Sequence, residues 1–260
     1  MHGSGVEILD VAQMEAAGRA AAATLAYVRE RLAPGVTTAQ VDHWVRQHTR
    51  LLGGTPSQLG YQGFPASVCT SRNQVVCHGI PRAGERLEDG DILNVDVTTA
   101  LGGKHGDTSQ TFLIGSVSPQ ARLLVDVARR CRDAGVAVVR PGARLGDIGA
   151  AIVETARAAG MGVVADYGGH GIGTHMHQAP HVSHVGRRGA GMRLVEGMAI
   201  TVEPMITLGR PEVVVLADGW TVVTRDGQWS AQFEHTVVVT RTGHTITTLA
   251  PEGAVSCRSP

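Results

Sequence analysis

Aromatic side chains are scarce in this chain: three Phe, three Tyr and three Trp among 260 residues. The core must rest on aliphatic side chains, and the position of each aromatic becomes informative. Cysteine is also sparse. Cys69, Cys77, Cys131 and Cys257 form no CxxC pair and no dense framework, which argues against a disulfide scaffold and for reduced thiols in a cytosol. Net charge is missing too. The 23 basic and 23 acidic residues balance to +0, so no global field favours nucleic acid or an anionic membrane. No apolar run is long enough to span a bilayer. The first residues, MHGSGVEILD, lack the basic and apolar regions of a signal peptide. What remains, 43% hydrophobic and 18% charged, is ordinary for a globular protein of one large domain or two small ones.

Four helices are legible. Residues from about Val6 to Arg31 are alanine-rich, with Met14, Ala17, Ala21 and Leu25 on one side and Pro34-Gly35 as the stop. A second helix runs from Thr38 to Leu52, capped by Thr37 or Thr38, with Val41 and Val45 inward and Gly53-Gly54 at its end. A third covers Pro119 to Val139, and after Pro141-Gly142 a fourth runs from about Leu145 to Ala159. Strands and loops fill the stretch to about Gly115 and again from Gly162 to Leu249. Residues 251–260 read as a flexible tail.

PGVTTAQVDHWVRQHTRLLGG, from Pro34, aligns with PGARLGDIGAAIVETARAAGM, from Pro141, at an offset of 107 residues. DGDILNVD, ending at Asp96, aligns with EGMAITVE, ending at Glu203, at the same offset. Common helix and turn patterns account for either match, but two at one offset point to duplication. The expectation is an α+β fold of two pseudo-symmetric halves, about 10–115 and 119–249, within one domain spanning 1–260. Each half delivers a carboxylate, Asp96 or Glu203, from the end of an equivalent strand.

The first of these sits in NVDVTTALGGKHGDTS. Alternation makes a strand, with Leu93, Val95 and Val97 on one face and Asn94, Asp96 and Thr98 on the other. Leu101-Gly102-Gly103 reads as a hairpin turn. A turn centred between Leu101 and Gly102 sets Asp96 opposite Asp107, where like charges call for a cation. The alternative is a solvent-facing hairpin with two ordinary acids. Further on, GGHGIGTHMHQAPHVSH holds five of the 12 histidines: His170, His175, His177, His181 and His184. Neutral imidazole is a common metal ligand; His181 and His184 are expected to be exposed loop residues. A phosphate-cradle reading of GGHGIG fails for want of the Lys-Ser/Thr ending or a following acid. Glu234, in AQFEHTVVV, is an acid in a β-branched segment that wants a partner. Four carboxylates and one imidazole (Asp96, Asp107, His170, Glu203, Glu234) suit two divalent ions such as manganese, iron or cobalt better than a thiolate-bound structural zinc. Such a pair activates water for hydrolysis.

At these residues the chain resembles the type I methionine aminopeptidases, a family of the pita-bread (creatinase/aminopeptidase) fold: a curved antiparallel sheet covered by helices. The matching stretches are PSQLGYQGFPASVCTSRNQVVCHGIP, DGDILNVDVTTALGGKHGDTSQTF, GHGIGTHMHQAP, EGMAITVEPM and DGWTVVTRDGQWSAQFEHTVVVT. The resemblance implies removal of the initiator methionine from nascent proteins when the second residue is small, with two divalent ions (cobalt, manganese, iron or zinc). It makes Asp96, Asp107, His170, Glu203 and Glu234 the metal ligands, with Asp107 and Glu234 bridging and His170 and Glu203 serving mainly one ion. It gives His78 and His177 hydrogen bonds to the peptide and its oxyanion, and Glu203 a proton-shuttling role.

The same resemblance lines the pocket for the first side chain with Tyr61, Phe64, Cys69, Met176 and Trp220, whose aromatic and sulfur contacts suit a thioether. Three departures stand out. Gln58 replaces a small cysteine or threonine, Met176 replaces a phenylalanine, and Gln178-Ala179 replace acids after His177. The resemblance also implies a cytoplasmic monomer acting on nascent chains, in possible reach of the ribosome but without an N-terminal ribosome-binding extension, nucleic-acid specificity or membrane contact. Proline dipeptidases and Xaa-Pro aminopeptidases share fold and ligands but usually carry an extra N-terminal domain. Binding proteins of this fold that have lost catalysis typically lose ligands.

Overall fold

The computed structural model describes residues 6–250; the tail expected at 251–260 lies outside the described residues. Helix α1 (Val11–Arg29) starts on a capping box of Asp10 with Gln13 and buries Met14, Ala17, Ala21 and Leu25. It begins later than the Val6 expected because Ile8 is held in an extended bridge to Met198. Helix α2 (Thr38–Leu51) is capped by Thr37 and Gln40 and buries Val41 and Val45. Helix α3 (Pro119–Ala137) places proline in its first turn behind the Ser118 cap. Helix α4 (Leu145–Ala158) buries Ile148 and Ile152.

The bonds around α2 and α4 recur in matching places. The Gly35 N–H donates to Leu87 O at 2.8 Å and the Gly142 N–H to Leu194 O at 2.9 Å. The Leu87 N–H donates to Val36 O at 2.8 Å and the Leu194 N–H to Ala143 O at 2.7 Å. Two aliphatic cores follow. One joins α1 and α2 to Leu93, Val95 and Val97; the other joins α3 and α4 to Ile200, Val202, Ile206 and Val237.

Strand Ile92–Leu101 pairs antiparallel with Lys104–Leu113, and its other edge meets Cys69–Arg72 and Thr55–Pro56. Its apolar face is buried as expected, but Asn94 and Thr98 on the polar face are buried as well. The hairpin register differs from the expected one. Leu101 pairs with Lys104, so the turn is Gly102-Gly103; Asp107 faces Thr98, and Asp96 faces Ser109. Both glycines take positive φ, at 62° and 76°, which suits a two-residue turn. The slip is two residues, one full strand period, so Asp96 and Asp107 still point to one face.

A second sheet runs in the spatial order His244–Ile246, His235–Val239, Ala199–Val202, Gly168–Gly171, Gln178–Ser183. A third carries Ser230–Gln232, Met205–Thr207 and Gly162–Val163. Polar bonds stitch the hairpin to these sheets. The Glu234 N–H donates to Ser109 O at 3.0 Å, Thr108 Oγ1 to Glu234 O at 2.9 Å, and the Gln232 N–H to Thr111 Oγ1 at 3.0 Å. That seam brings the two acid-bearing regions together. Among the described residues no helix is long and apolar enough to cross a membrane.

Candidate metal centre

Glu203 and Glu234 do not lie inside strands. Each follows or precedes one at a break: Glu203 after Ala199–Val202, Glu234 before His235–Val239. Glu234, expected within its β-branched segment, thus stands just outside the strand that segment forms. Asp96 and Asp107 come from the hairpin, and His170 from Gly168–Gly171. All five line one cavity of about 440 Å³. Asp107, His170 and Glu234 each offer a ligand atom within 4.8 Å of the others.

Neighbouring side chains aim these groups. His170 Nδ1 is 3.0 Å from Gly171 O, which assigns the proton to Nδ1 and leaves the Nε2 lone pair free. Nε2 lies 3.4 Å from Glu203 Oε1 and 3.8 Å from Asp107 Oδ2. Thr98 Oγ1 donates to Asp107 Oδ1 at 2.7 Å, Thr201 Oγ1 to Glu203 Oε1 at 2.7 Å, and Gln232 Nε2 to Glu203 Oε2 at 3.1 Å. Gln58 Nε2 donates to Asp96 O at 2.9 Å and reaches Asp96 Oδ1 at 3.4 Å. Glu234 Oε1 is buried without a partner.

Burial and mutual repulsion push the four acids up. Burial lifts Asp96 and Glu234 well above the carboxylate range, reinforced by the charge of Asp107. Burial raises Asp107 to about 7, against the hydrogen bond from Thr98, and Glu203 to about 8, against that from Thr201. Burial, then His177, lowers His170 to about 3, so its imidazole is neutral. Oxygen-rich donors, one neutral imidazole and an orphaned carboxylate oxygen are the donor set of a hard divalent cation, whose charge reverses the repulsion.

The family model of metallopeptidase family M24 matches residues 12–241. The chain belongs to this family. It is 48% identical over 240 residues to methionine aminopeptidase A of Synechocystis sp., covering 92% of this chain and 95% of that protein. The solved structure of methionine aminopeptidase from Rickettsia prowazekii superposes with a TM-score of 0.92 at 44% identity, covering 94% of this chain and all of that one, 100%. Prolidase from Pyrococcus furiosus shares the pita-bread fold at a TM-score of 0.73 and 19% identity, and this chain covers 66% of it. The M24 chain is thus a metallo-aminopeptidase hydrolase with the pita-bread fold, and its acid cluster suits divalent metal.

The M24 cavity also has apolar lining. Tyr61, Phe64, Cys69, Met176 and Trp220 line it together with His78 and His177. Phe64 and Trp220 meet edge to face at 5.1 Å, and Trp220 is 6.1 Å from the His78 ring. His177 lies 4.2 Å from the His170 ring and 5.0 Å from that of Tyr61. Burial lowers His78 to about 4. Cys69 is buried opposite Asp96. Burial and then the Asp96 charge push its thiol well up, so it is a poor nucleophile.

His184 departs from expectation, while His181 is exposed as expected but sits on a strand. His184 is buried, and its Nε2 accepts the Glu203 N–H at 3.1 Å. His181 is exposed but lines the cavity and pairs with His170 across the strands. Thr201 and Gln232 escaped notice in the sequence, and Thr98 was noted only as sharing the face of Asp96, yet each stands two residues from an acid of the cavity. On a strand that spacing means the same face, a signal that points to them. Asp166 and Tyr167, also on the cavity wall, carry no such signal.

Proposed function

We propose that this chain is a methionine aminopeptidase that removes the initiator methionine from nascent chains whose second residue is small. The observation that carries the reading is the single cavity, which holds five metal-type ligands together with Tyr61, Phe64, Met176 and Trp220. An unbranched thioether fits such a lining through sulfur–aromatic contacts. Asp96, Asp107, His170, Glu203 and Glu234 would hold two divalent ions, of cobalt, manganese, iron or zinc, with Asp107 and Glu234 shared. Bound there, the ions supply Lewis-acid activation of water and of the scissile carbonyl.

The protein groups do the rest. Glu203, aimed into the cavity by bonds from Thr201 Oγ1 and Gln232 Nε2, is placed to take a proton and return it to the leaving amine. His78 and His177, both held neutral-leaning by burial, present ring N–H groups to the peptide and to the oxyanion. The matching bonds around α2 and α4 support two related halves, about 10–115 and 119–249, in one catalytic domain. The same reading makes the chain a monomeric cytoplasmic enzyme near the ribosome; reduced thiols agree with Cys69, Cys77 and Cys131, the free cysteines among the described residues, all buried.

The test is peptide cleavage before and after thorough chelation. Met-Ala-Ser should be cut, Ala-Pro-Ser should not, and chelation should abolish cleavage until metal is restored. Asp107→Ala should lose metal and activity together. Activity that survives chelation, or a preference for Xaa-Pro, sinks the proposal.

A further inference from the structure

The N-terminal segment reaches the site through one side chain. Ahead of α1, the Leu9 N–H donates to Gly197 O at 2.8 Å and Ile8 bridges Met198, which fixes where Glu7 can reach. Its Oε1 accepts from Lys104 Nζ at 2.6 Å and Thr174 Oγ1 at 2.6 Å. Its Oε2 accepts from the Thr174 N–H at 2.8 Å and Gln178 Nε2 at 3.1 Å. The carboxylate therefore grips both ends of the turn 174–178. Met176 and His177, both on the cavity wall, lie between the grips. Lys104 belongs to the hairpin that carries Asp107, so one carboxylate also ties turn to hairpin, beside the bond from the His105 N–H to Gly173 O at 2.9 Å.

We propose that Glu7 is a positioning residue that holds Met176 and His177 over the metal ligands, with Gln178 as its matched partner. A carboxylate with four donors loses charge-assisted bonds when neutralised. Burial pushes the Glu7 carboxyl up, but the bonds from Lys104, Thr174 and Gln178 outweigh it and hold it at about 2. Position 178 must then be a donor: an acid there would face Glu7 across the same gap. The functional consequence rests on the role proposed for His177, while the mechanical one does not.

The experiment compares Glu7→Gln, Gln178→Glu and the double variant in the full chain. Glu7→Gln leaves one acceptor oxygen for four donors and removes the charge that Lys104 pairs with; Gln178→Glu sets a second carboxylate against Glu7; the double relieves that repulsion but does not restore the bonds from Lys104 Nζ and the Thr174 N–H. Amide exchange in 173–178 should quicken about tenfold in each single variant, and the double should be no faster than Glu7→Gln alone. kcat on Met-Ala-Ser should drop about tenfold in the singles, with KM and bound metal little changed, and the double should fall no further than Glu7→Gln. Additive losses in exchange, or wild-type exchange in Glu7→Gln, overturn the proposal. A wild-type chain that does not cleave the peptide defeats the functional reading alone, because exchange still reports on Glu7.

Discussion

Glu203 and Glu234 oppose one another across a break in a shared ladder. Val202 pairs with His235 on one side of the break and Met205 with Gln232 on the other. The same register, carried through the gap, sets Glu203 against Glu234. Two acids directly opposed in a buried ladder are tolerable only if protonated or bridged by a cation. The register thus builds the demand for metal into the backbone itself.

That demand has a pH signature. In chelated protein the folded-state values of Asp107, about 7, and Glu203, about 8, exceed their ordinary ones. The folded chain then holds protons that the unfolded chain has released, and stability falls as pH rises through these values. His170, His78 and His184, lowered to about 3, about 4 and about 3 mainly by burial, act oppositely. Their stabilisation is complete above the ordinary histidine value of about 6.5 and fades as pH falls. Between about pH 6.5 and 8 the acids act without them. Calorimetry of chelated protein should show Tm declining over that window, and added manganese should remove the decline. A flat Tm in chelated protein contradicts this account of the centre.

Gln58 offers a second test. Its Nε2 serves Asp96 O and Oδ1, and its Oε1 accepts the Thr98 N–H at 3.1 Å. The Thr55–Pro56 strand ends just before it, so the side-chain amide continues the ladder where backbone pairing stops. Gln58→Met keeps the volume but strands the Thr98 N–H, which costs about 1–3 kcal/mol. Gln58→Glu also sets a carboxylate against Asp96 and should weaken metal binding roughly 10–100-fold. Denaturant titration and metal calorimetry read the two effects separately. Equal metal affinity in wild type and Gln58→Glu would show that the amide does not orient Asp96.

Gln58 also marks where sequence reasoning stops. The helices were legible because caps and apolar spacing are local: Thr37 caps the second helix as expected, while the Asp10 cap of the first was missed and that helix begins later than Val6. That Asp96, Asp107, His170, Glu203 and Glu234 meet in one cavity was legible because they lie in family motifs, and both Asp96 and Asp107 kept their face through a two-residue register slip. The slip itself was not legible, since Gly102-Gly103 and Leu101-Gly102 are equally plausible turn centres on paper. His184 looked like loop polarity because its partner, the Glu203 N–H, comes from a strand that pairs only in the folded sheet. Gln58 looked like a pocket-rim substitution; its bonds to Asp96 and Thr98 depend on how a loop folds back on a distant strand.

Behind the centre two glycines, Gly106 and Gly18, let helix and hairpin approach closely. A Cβ at Gly106 would land on the Gly18 nitrogen and the Ala17 carbonyl carbon, both backbone atoms of α1. Gly106 stands one residue before Asp107 on the hairpin, so helix and metal ligand share this approach. Backbone cannot yield as a side-chain tip can, and Gly106→Ala must push α1 away from the hairpin. Overpacking of this kind costs typically about 1–3 kcal/mol. The shift should also move Asp107 off its bond to Thr98, so metal affinity and Tm should fall together. By contrast, Gly84→Ala, where an added Cβ meets nothing within 4 Å, should leave both unchanged. If Gly106→Ala lowers Tm yet binds metal as wild type does, the hairpin has absorbed the strain without transmitting it to Asp107, and the coupling argued here is wrong.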